Sequence, residues 1–572
     1  MVVRTADFDG LHFVLPRNAA EKWPEPLAQF RRDEPPPFPG AEDTMEIGTD
    51  VGHETHSAVP AGLWQFQSVP GVETLVITHI HLRVGLREII GEDWCVWTLG
   101  SSPTQVMSTT VLAPAQWAQM EFALARLGDQ RRTQRLVKIA TRLAQSPGGT
   151  LPQAMPRWEE LKAAYRFFSQ PKITYEEVLR PHWERTQAAC REAGEYLLIE
   201  DTTLLDYTGH PAAEGLGIIG DGGRGLSVHS TLALKVRAWD LEQRPEAVVV
   251  GLFHQQCWSQ QHRPKGETRA QRVWRSHRRS KRWAEVFKTS TGPAEGSHWT
   301  YIADREADFY EPIQRCQQRG VDFVIRACQN RRLAAEAGHL WESLEQATAL
   351  GQVTVELRSR PGQGARRAVV ELRSRKVDLS GPWRPGGWQE DLEGIYVLQV
   401  REVDPPPEAE PLHWVLLTSL PCNSLVEGQR IVGRYTARWH IEEYHKALKS
   451  GAGVEESQLA QAYRLETLLA VLALVAVRLL NTKLLARACP NQALAPDEVS
   501  QQALNILESK VGKPKEGWTQ STFWIAVARL GGFIGRKSDG MPGWQTIWRG
   551  WQRLLWMNEG LETFNQLNER CG

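Results

Sequence analysis

The alternation of apolar and polar positions changes character several times along this chain, and each change predicts a different kind of element. Through residue 106 the pattern is weak: Pro-rich stretches such as DEPPPFP from Asp33 surround one β-like run, VETLVITHIHLRV from Val72, and no fold follows from them. From Trp117 to Gln145 apolar residues return at helical spacing among acids and bases, and short helices continue to about Trp183. Strands come next, as runs of β-branched and apolar residues closed by polar or Gly positions: YLLIE (196–200), LSVHSTLALKV (226–236), AVVVGLF (247–253), WTYIA (299–303) and FVIRA (323–327). The first three lie close enough together to form an antiparallel meander. The later ones are separated by segments long enough to hold a helix, which predicts an α/β fold with a mixed sheet flanked by helices. Between Leu350 and Ser419 the runs VTVEL, AVVEL, IYVLQV and HWVLLT, broken by PGQG and GPWRPGG, predict an all-β insertion. After Ser424 the pattern is helical to the end, with a Pro/Gln-rich break near Pro490. The longest apolar run, Leu468 to Val477, is far short of the roughly 20 residues that span a bilayer, so it is expected to be a buried core helix.

Composition alters this picture little. With 572 residues the chain exceeds what one hydrophobic core serves, and 41% hydrophobic with 23% charged residues is ordinary for a folded soluble protein. Lys plus Arg and Asp plus Glu balance at 67 each, so any polyanion-binding surface must be local. One basic run holds Arg263, Lys265, Arg269, Arg272, Arg275, Arg278, Arg279, Lys281 and Arg282 against Glu267, with Trp274 interleaved and Trp283 following; a second extends from Arg358 to Lys376. A single charge run is often a solvated face, but two in a balanced chain favour a phosphate-binding surface. The eight cysteines are scattered without zinc-site spacing, as expected of reduced thiols in a cytoplasmic protein, and no secretion signal is visible at the amino terminus.

Two acids follow directly on strands, Asp201 in YLLIEDTT and Asp304 in WTYIADREAD. Such positions are common turn or cap residues, but they also lie at the sheet edge where α/β proteins bind ligands. A third acid comes from the helix RYTARWHIEEYHKALKSGAG. At about 100° per residue, Tyr435, Arg438, Glu442 and Lys449 fall within one stripe roughly 60° wide. A solvated face with ion pairs such as Glu442 with Lys446 is the plain alternative. Three carboxylates without thiolates suit Mg²⁺, with Mn²⁺ able to substitute, rather than zinc. Two such ions about 4 Å apart support in-line phosphoryl displacement, and Arg438 and Lys449 would neutralise the neighbouring phosphates.

With these residues in place the chain resembles DDE transposases of the insertion-sequence-four type, the group that includes the transposon-five enzyme. Their signature runs Tyr, two residues, Arg, three residues, Glu, six residues, Lys, and Tyr435, Arg438, Glu442 and Lys449 meet every spacing. The likeness extends from about Met107 to the end, through LGDQRRTQRL from Leu127, AYRFF from Ala164, EDTT from Glu200, ADREAD from Ala303, WVLLTSLP from Trp414, ARLGGF and GWQTIWRGW. It implies a ribonuclease-H-like core at 176–488 with the β insertion at about 340–412, preceded by a helical end-binding domain at 107–175 and followed by a helical dimerisation domain at 489–572. Asp201, Asp304 and Glu442 would be the catalytic, metal-binding acids, with two ions per site. Tyr435, Arg438, Trp439 and Lys449 would grip the DNA strand, Trp414 would hold a flipped base during hairpin formation, and Arg326 would lie near the transferred end. Arg131, Arg132 and Arg135 would read the transposon end.

The function so implied is excision of an insertion sequence by its own transposase, which binds the inverted ends as a homodimer in the cytoplasm, cleaves through a hairpin and joins the ends to target DNA. No membrane partner is implied. The alternative is an inactive copy that binds the ends and represses transposition. Relatives of this kind begin near Met107, so residues 1–106 are expected to come from an over-extended reading frame. Mass spectrometry of the protein from its native host should then find no peptide upstream of Met107; one such peptide overturns that expectation.

Overall fold

The computed structural model describes three strands within the first 105 residues and, from 114 onward, everything except 221, 263–265, 269–270, 272–281, 358–365, 385–386, 489–492, 495–498, 516, 537–538, 540 and 572. Two compact units divide the chain, Met1–Gln105 and Val106–Gly572. In the first, β1 (His12–Val14), β2 (Trp64–Val69) and β3 (Val72–Ile77) form an antiparallel sheet in the order β1-β3-β2, so the start of the β-like run at Val72 is a strand. DEPPPFP and Met107 lie outside the described residues.

The second unit opens with helices α1 (Pro114–Phe122), α2 (Gln130–Gln145), α3 (Leu151–Ala154), α4 (Trp158–Phe168) and α5 (Tyr175–Cys190). Each longer one starts or packs for a local reason. The Asp129 side chain accepts from the Arg131 N–H to cap α2, whose stripe Leu136, Ile139, Ala140 and Leu143 is buried while Arg131 faces solvent. Thr174 and Glu177 close a capping box on α5.

The sheet follows: β4 (Gly194–Asp206), β5 (Gly217–Ile219), β6 (Gly223–Trp239), β7 (Pro245–Trp258), then α6 (Val286–Thr289), β8 (Ser297–Ala303), α7 (Tyr310–Gln318), β9 (Asp322–Arg326) and α8 (Leu340–Ser343). The insertion adds β10 (Thr348–Leu357), β11 (Arg366–Leu379), the small hairpin β12 (Trp383–Arg384) with β13 (Gly387–Trp388), and β14 (Leu392–Glu402); β15 (His413–Thr418) returns to the core. Ten strands make one sheet in the order β10-β11-β14-β15-β9-β8-β4-β6-β5, with β7 also paired to β6. Strands β4, β6 and β7 are the antiparallel meander expected from their spacing, and β8 runs parallel to both β4 and β9. The inserted strands β10, β11 and β14 therefore lengthen the core sheet, since β15 pairs β9 on one side and β14 on the other.

Alternation along the strands sorts side chains to two faces. Leu197, Ile199, Ile302 and Val324 join one apolar core; Tyr196, Leu198, Tyr301, Ala303, Phe323 and Ile325 join the other, under α6 and α7. The first core also takes in α1, α2, α4 and α5 and the carboxyl helices α9 (Leu425–Ala437), α10 (Trp439–Lys446), α11 (Ala462–Ala488), α12 (Gln501–Val511), α13 (Gln520–Leu530) and α14 (Trp544–Cys571). The apolar run 468–477 is the buried middle of α11, and among the described residues no helix is long and apolar enough to cross a membrane.

The second basic run is corrected by its surroundings. Among its described residues, Arg366 pairs with Glu402, Arg367 with Glu356, Arg373 with Glu371 and Arg375 with Glu336, while Lys376 lies over the Tyr396 ring. Each arginine described in this run thus has a carboxylate partner, Glu402 and Glu336 from far along the chain and Glu371 from within the run, so these are no bank of free cations waiting for phosphates. Most of the first run lies outside the described residues; Arg282 at its end stacks on Trp258, 4.8 Å from the ring centre, and donates to Gln256 Oε1 at 2.7 Å.

A buried ionic cluster fastens the amino-terminal helices to the sheet. Glu121 of α1 accepts from His182 Nδ1 at 2.7 Å and pairs closely with Arg185, and His182 Nε2 accepts the Leu252 N–H of β7 at 2.9 Å. Burial pushes the Glu121 carboxyl up, but Arg185 and His182 together outweigh it and bring it down to about 2. A carboxylate depressed in the folded state stabilises above its unfolded pKa, and that stability is lost as pH falls through the folded value. Glu121→Ala should therefore cost about 3 kcal/mol in denaturant unfolding at neutral pH, because it leaves the buried His182 Nδ1 and the Arg185 guanidinium without their acceptor, and the loss should shrink as pH drops from about 4.5 towards 2. A pH-independent loss would contradict this.

Candidate active site

Where β4 and β8 run in parallel, their pairing ends at Glu200 opposite Ala303. Asp201 and Asp304 are the next residue on each strand, on the same face as Ile199 and Ile302, which places both acids at the carboxyl edge over the core that carries α9 to α11. Asp304 does follow its strand, and its side chain accepts from the Glu306 N–H at 2.8 Å, capping the 3₁₀ turn Arg305–Ala307. Asp201 does not: β4 continues to Asp206 because β6 goes on pairing with it after β8 has ended.

Glu442 arrives on α10, and here the expected single helix is interrupted. α9 ends at Ala437, Arg438 forms the joint, and α10 gives way at Ala447 to a π turn, Ala447–Gly451, closed by Ala452 N–H to Ala447 O at 2.7 Å. Across the joint Arg438 and Glu442 remain i, i+4 neighbours, while Lys449 falls within the π turn. Arg438 points at two acids, its Nη1 3.5 Å from Asp201 Oδ2 and its Nη2 2.5 Å from Glu442 Oε1, so the ion partner of Glu442 is Arg438 and not Lys446. Tyr435 is buried, edge-on to Trp414 at 5.1 Å, and hydrogen-bonded to Arg326. Trp414 itself is only 8% exposed on β15. Lys449, within the π turn, lies 3.4 Å from Glu455 Oε1, which also accepts the Asp206 N–H. Trp439 is half-buried at the start of α10. Arg326 Nη2 donates to His413 O at 3.3 Å.

Asp201, Asp304, Glu442, Arg438, Tyr435, Trp414 and Arg326 therefore gather at one edge. Arg131, Arg132 and Arg135 lie elsewhere, on the amino-terminal half of α2, where Arg132 Nη1 donates to Leu127 O at 3.0 Å.

Electrostatics bind the three acids into one group. Burial first, and then the charges of Asp304 and Glu442 against the opposing pull of Arg438, raise the Asp201 carboxyl to about 6. Asp201 and Glu442 thus share one guanidinium while Asp304 adds a third negative charge beside Asp201, and the all-oxygen donors of the three acids suit a hard divalent cation. With Arg438 between Asp201 and Glu442, no three acids, histidines or cysteines among the described residues stand as a closed set of metal ligands.

Local sequence gave no hint of the buried polar row that supports α10. Asp201, Ser230 and Gln255 are register partners across β4, β6 and β7. Gln255 Nε2 donates to Ser230 Oγ and to the Tyr444 hydroxyl, both at 2.8 Å, and its Oε1 accepts from the Tyr175 hydroxyl at 2.5 Å. His445 Nε2 lies 3.4 Å from Ser230 Oγ; burial and then the charge of Lys449 push this imidazole down to about 3, which keeps it neutral.

Residues 114–173 match the family described as Transposase DNA-binding, and residues 285–478, which hold Asp304 and Glu442 but not Asp201, match Transposase DDE domain. A cryo-EM structure of piggyBac transposase in a synaptic complex with hairpin DNA aligns over 76% of this chain and 90% of that one, at 10% identity and a TM-score of 0.30, a superposition too loose to bear on this chain. A DNA-binding module of transposase type followed by a DDE domain, with a ribonuclease-H-like mixed sheet beneath it, makes this chain a DNA transposase of the DDE group.

Proposed function

We propose that the chain is an insertion-sequence-four-type transposase that binds the inverted ends of its own element as a homodimer, excises the element through a hairpin and joins it to target DNA. The observation that carries this reading is the Arg438 guanidinium spanning Asp201 and Glu442 while Asp304 adds its charge to the same group. Asp201, Asp304 and Glu442 would hold Mg²⁺, or Mn²⁺ in its place, at two ions per site. Bound there, such ions activate a water or 3′-hydroxyl and stabilise the leaving oxygen. The chain's own side chains do the remainder. Arg438, already desolvated and aimed at the acids, is placed to pass from a carboxylate to a phosphate oxygen of the strand being cut. Lys449 brings a second cation on the π turn, and Arg326 beside Tyr435 offers a guanidinium near the end of β9. Arg131, Arg132 and Arg135 on α2, within the matched DNA-binding region, would contact the element's end. The exposed Trp556, Leu561, Phe564 and Leu567 along α14 support its use as a dimer contact.

Glu442→Ala should leave end binding intact and abolish strand cleavage in Mg²⁺; cutting at the wild-type rate would mean that a different carboxylate serves. The hairpin has its own test, with end-labelled linear substrate resolved on a denaturing gel. Trp414→Phe should keep nicking and hairpin formation, whereas Trp414→Ala should keep nicking but reduce the foldback product about tenfold, the loss of one aromatic stack on a base. If no foldback species forms even with the wild-type chain, cleavage stands and the hairpin step goes.

A further inference from the structure

Directly behind Asp201, on the other face of the sheet, Glu200 is 1% exposed, a carboxylate in the core with no part in the chemistry above. It is heavily engaged. The Tyr301 hydroxyl donates to its Oε2 at 2.5 Å, the Ala284 N–H to the same oxygen at 2.7 Å, and the Thr231 hydroxyl to its Oε1 at 2.9 Å; His229 Nε2 lies 3.3 Å from Oε1. Trp283 stands edge-on to the His229 ring at 4.7 Å. His229 Nδ1 and the Thr202 hydroxyl are 2.8 Å apart, and the Thr202 N–H donates to Asp201 Oδ1 at 2.7 Å, so the network returns to the catalytic carboxylate from behind. Ala284 reaches Glu200 from a left-handed backbone, φ 52°, which an alanine adopts only when its surroundings hold it there.

Most of these partners sit on different elements. Tyr301 lies on β8 three residues before Asp304, Thr231 and His229 on β6, and Ala284 in the segment leading to α6. Because side chains alternate along a strand, a one-residue slip of β8 against β4 would turn Asp304 to the wrong face, and a two-residue slip would carry it about 7 Å from Asp201. Main-chain hydrogen bonds alone do not distinguish these registers. The bond from Tyr301 to Glu200, between diagonal neighbours on the two strands, does.

We propose that Glu200 is a positioning residue for strand cleavage, a clamp that holds β4, β6, β8 and the Ala284 segment so that Asp201 and Asp304 emerge side by side. This rests on the reading of those two acids as catalytic. The test compares Tyr301→Phe, Glu200→Gln, Glu200→Leu and Asp201→Asn in the full chain, by end-DNA affinity, thermal unfolding and single-turnover cleavage of pre-bound ends across a Mg²⁺ titration. Tyr301→Phe should fold and bind ends within about twofold of wild type, yet cleave about 10- to 100-fold more slowly and need more Mg²⁺ for half-maximal rate, as a small misplacement of reacting groups predicts. Glu200→Gln keeps an oxygen for Tyr301 and Ala284 and should recover most of the rate, whereas Glu200→Leu should not. Cleavage by Tyr301→Phe at the wild-type rate and Mg²⁺ requirement, with Asp201→Asn inactive, would overturn the clamp alone. So would losses in the variants that merely follow the fraction unfolded. Normal cleavage by Asp201→Asn would instead overturn the reading of the active site.

Discussion

The geometry of the site depends on the register of two parallel strands. Both faces of β4 and β8 are covered by apolar cores, so a one-residue shift of either strand would trade the side chains fitted to one core for those fitted to the other. Their last partners, Glu200 and Ala303, set the level at which two acids leave the pairing together. Continued pairing of β4 with β6 then holds Asp201 in a row with Ser230 and Gln255, and that row is the floor on which Tyr444 and His445 seat the helix that carries Glu442. The spacing of acids far apart in the chain thus reduces to one choice of strand register and one polar row.

Much of this was legible along the chain, and the limits of legibility are physical. Period-two runs located the core strands, and the meander of β4, β6 and β7 followed from their spacing. The acids after YLLIE and WTYIA stood out because a carboxylate ends an apolar run. Strand β4 ran past its apparent end because its length is set by β6, a partner that local pattern does not name. The helix from Arg434 looked continuous because no Pro or Gly interrupts it before Gly451; its break at Arg438 coincides with the guanidinium turning towards Asp201, a tertiary contact. The basic run near Arg366 looked like a phosphate site because its neutralising partners, Glu402 and Glu336, lie tens of residues away. Glu200 was hidden for the same reason: in YLLIE it is one polar residue closing a strand, and only the fold brings Tyr301, His229 and Ala284 to it.

Pattern also marked off helical regions at either end of the core, and packing joins them. The apolar face of α2, the buried middle of α11 and the carboxyl helices α13 and α14 contribute to a single core with one face of the sheet. The Glu121 cluster adds an ionic tie between α1, α5 and β7. Near α3, Gly148 and Gly453 approach so closely that a side-chain carbon on Gly453 would come within 3.0 Å of the Gly148 backbone. Helices that would meet DNA are therefore held to the catalytic sheet by contacts that leave little play between them.

The π turn after α10 has a consequence of its own. Each turn of this kind carries one residue more than an ordinary helical turn, which offsets the residues at its end by about 100° about the axis. It is the last turn of that helix, for Gly453 in a left-handed backbone and the 3₁₀ turn Val454–Glu456 intervene before α11, so what the extra residue sets is where Lys449 stands relative to Glu442. The count of residues between Lys446 and Ala452 is then under tighter constraint than their chemical nature. Loss of a single residue between Lys446 and Lys449 would leave both Glu442 and Lys449 in the chain and still swing that cation about 100° away from Glu455.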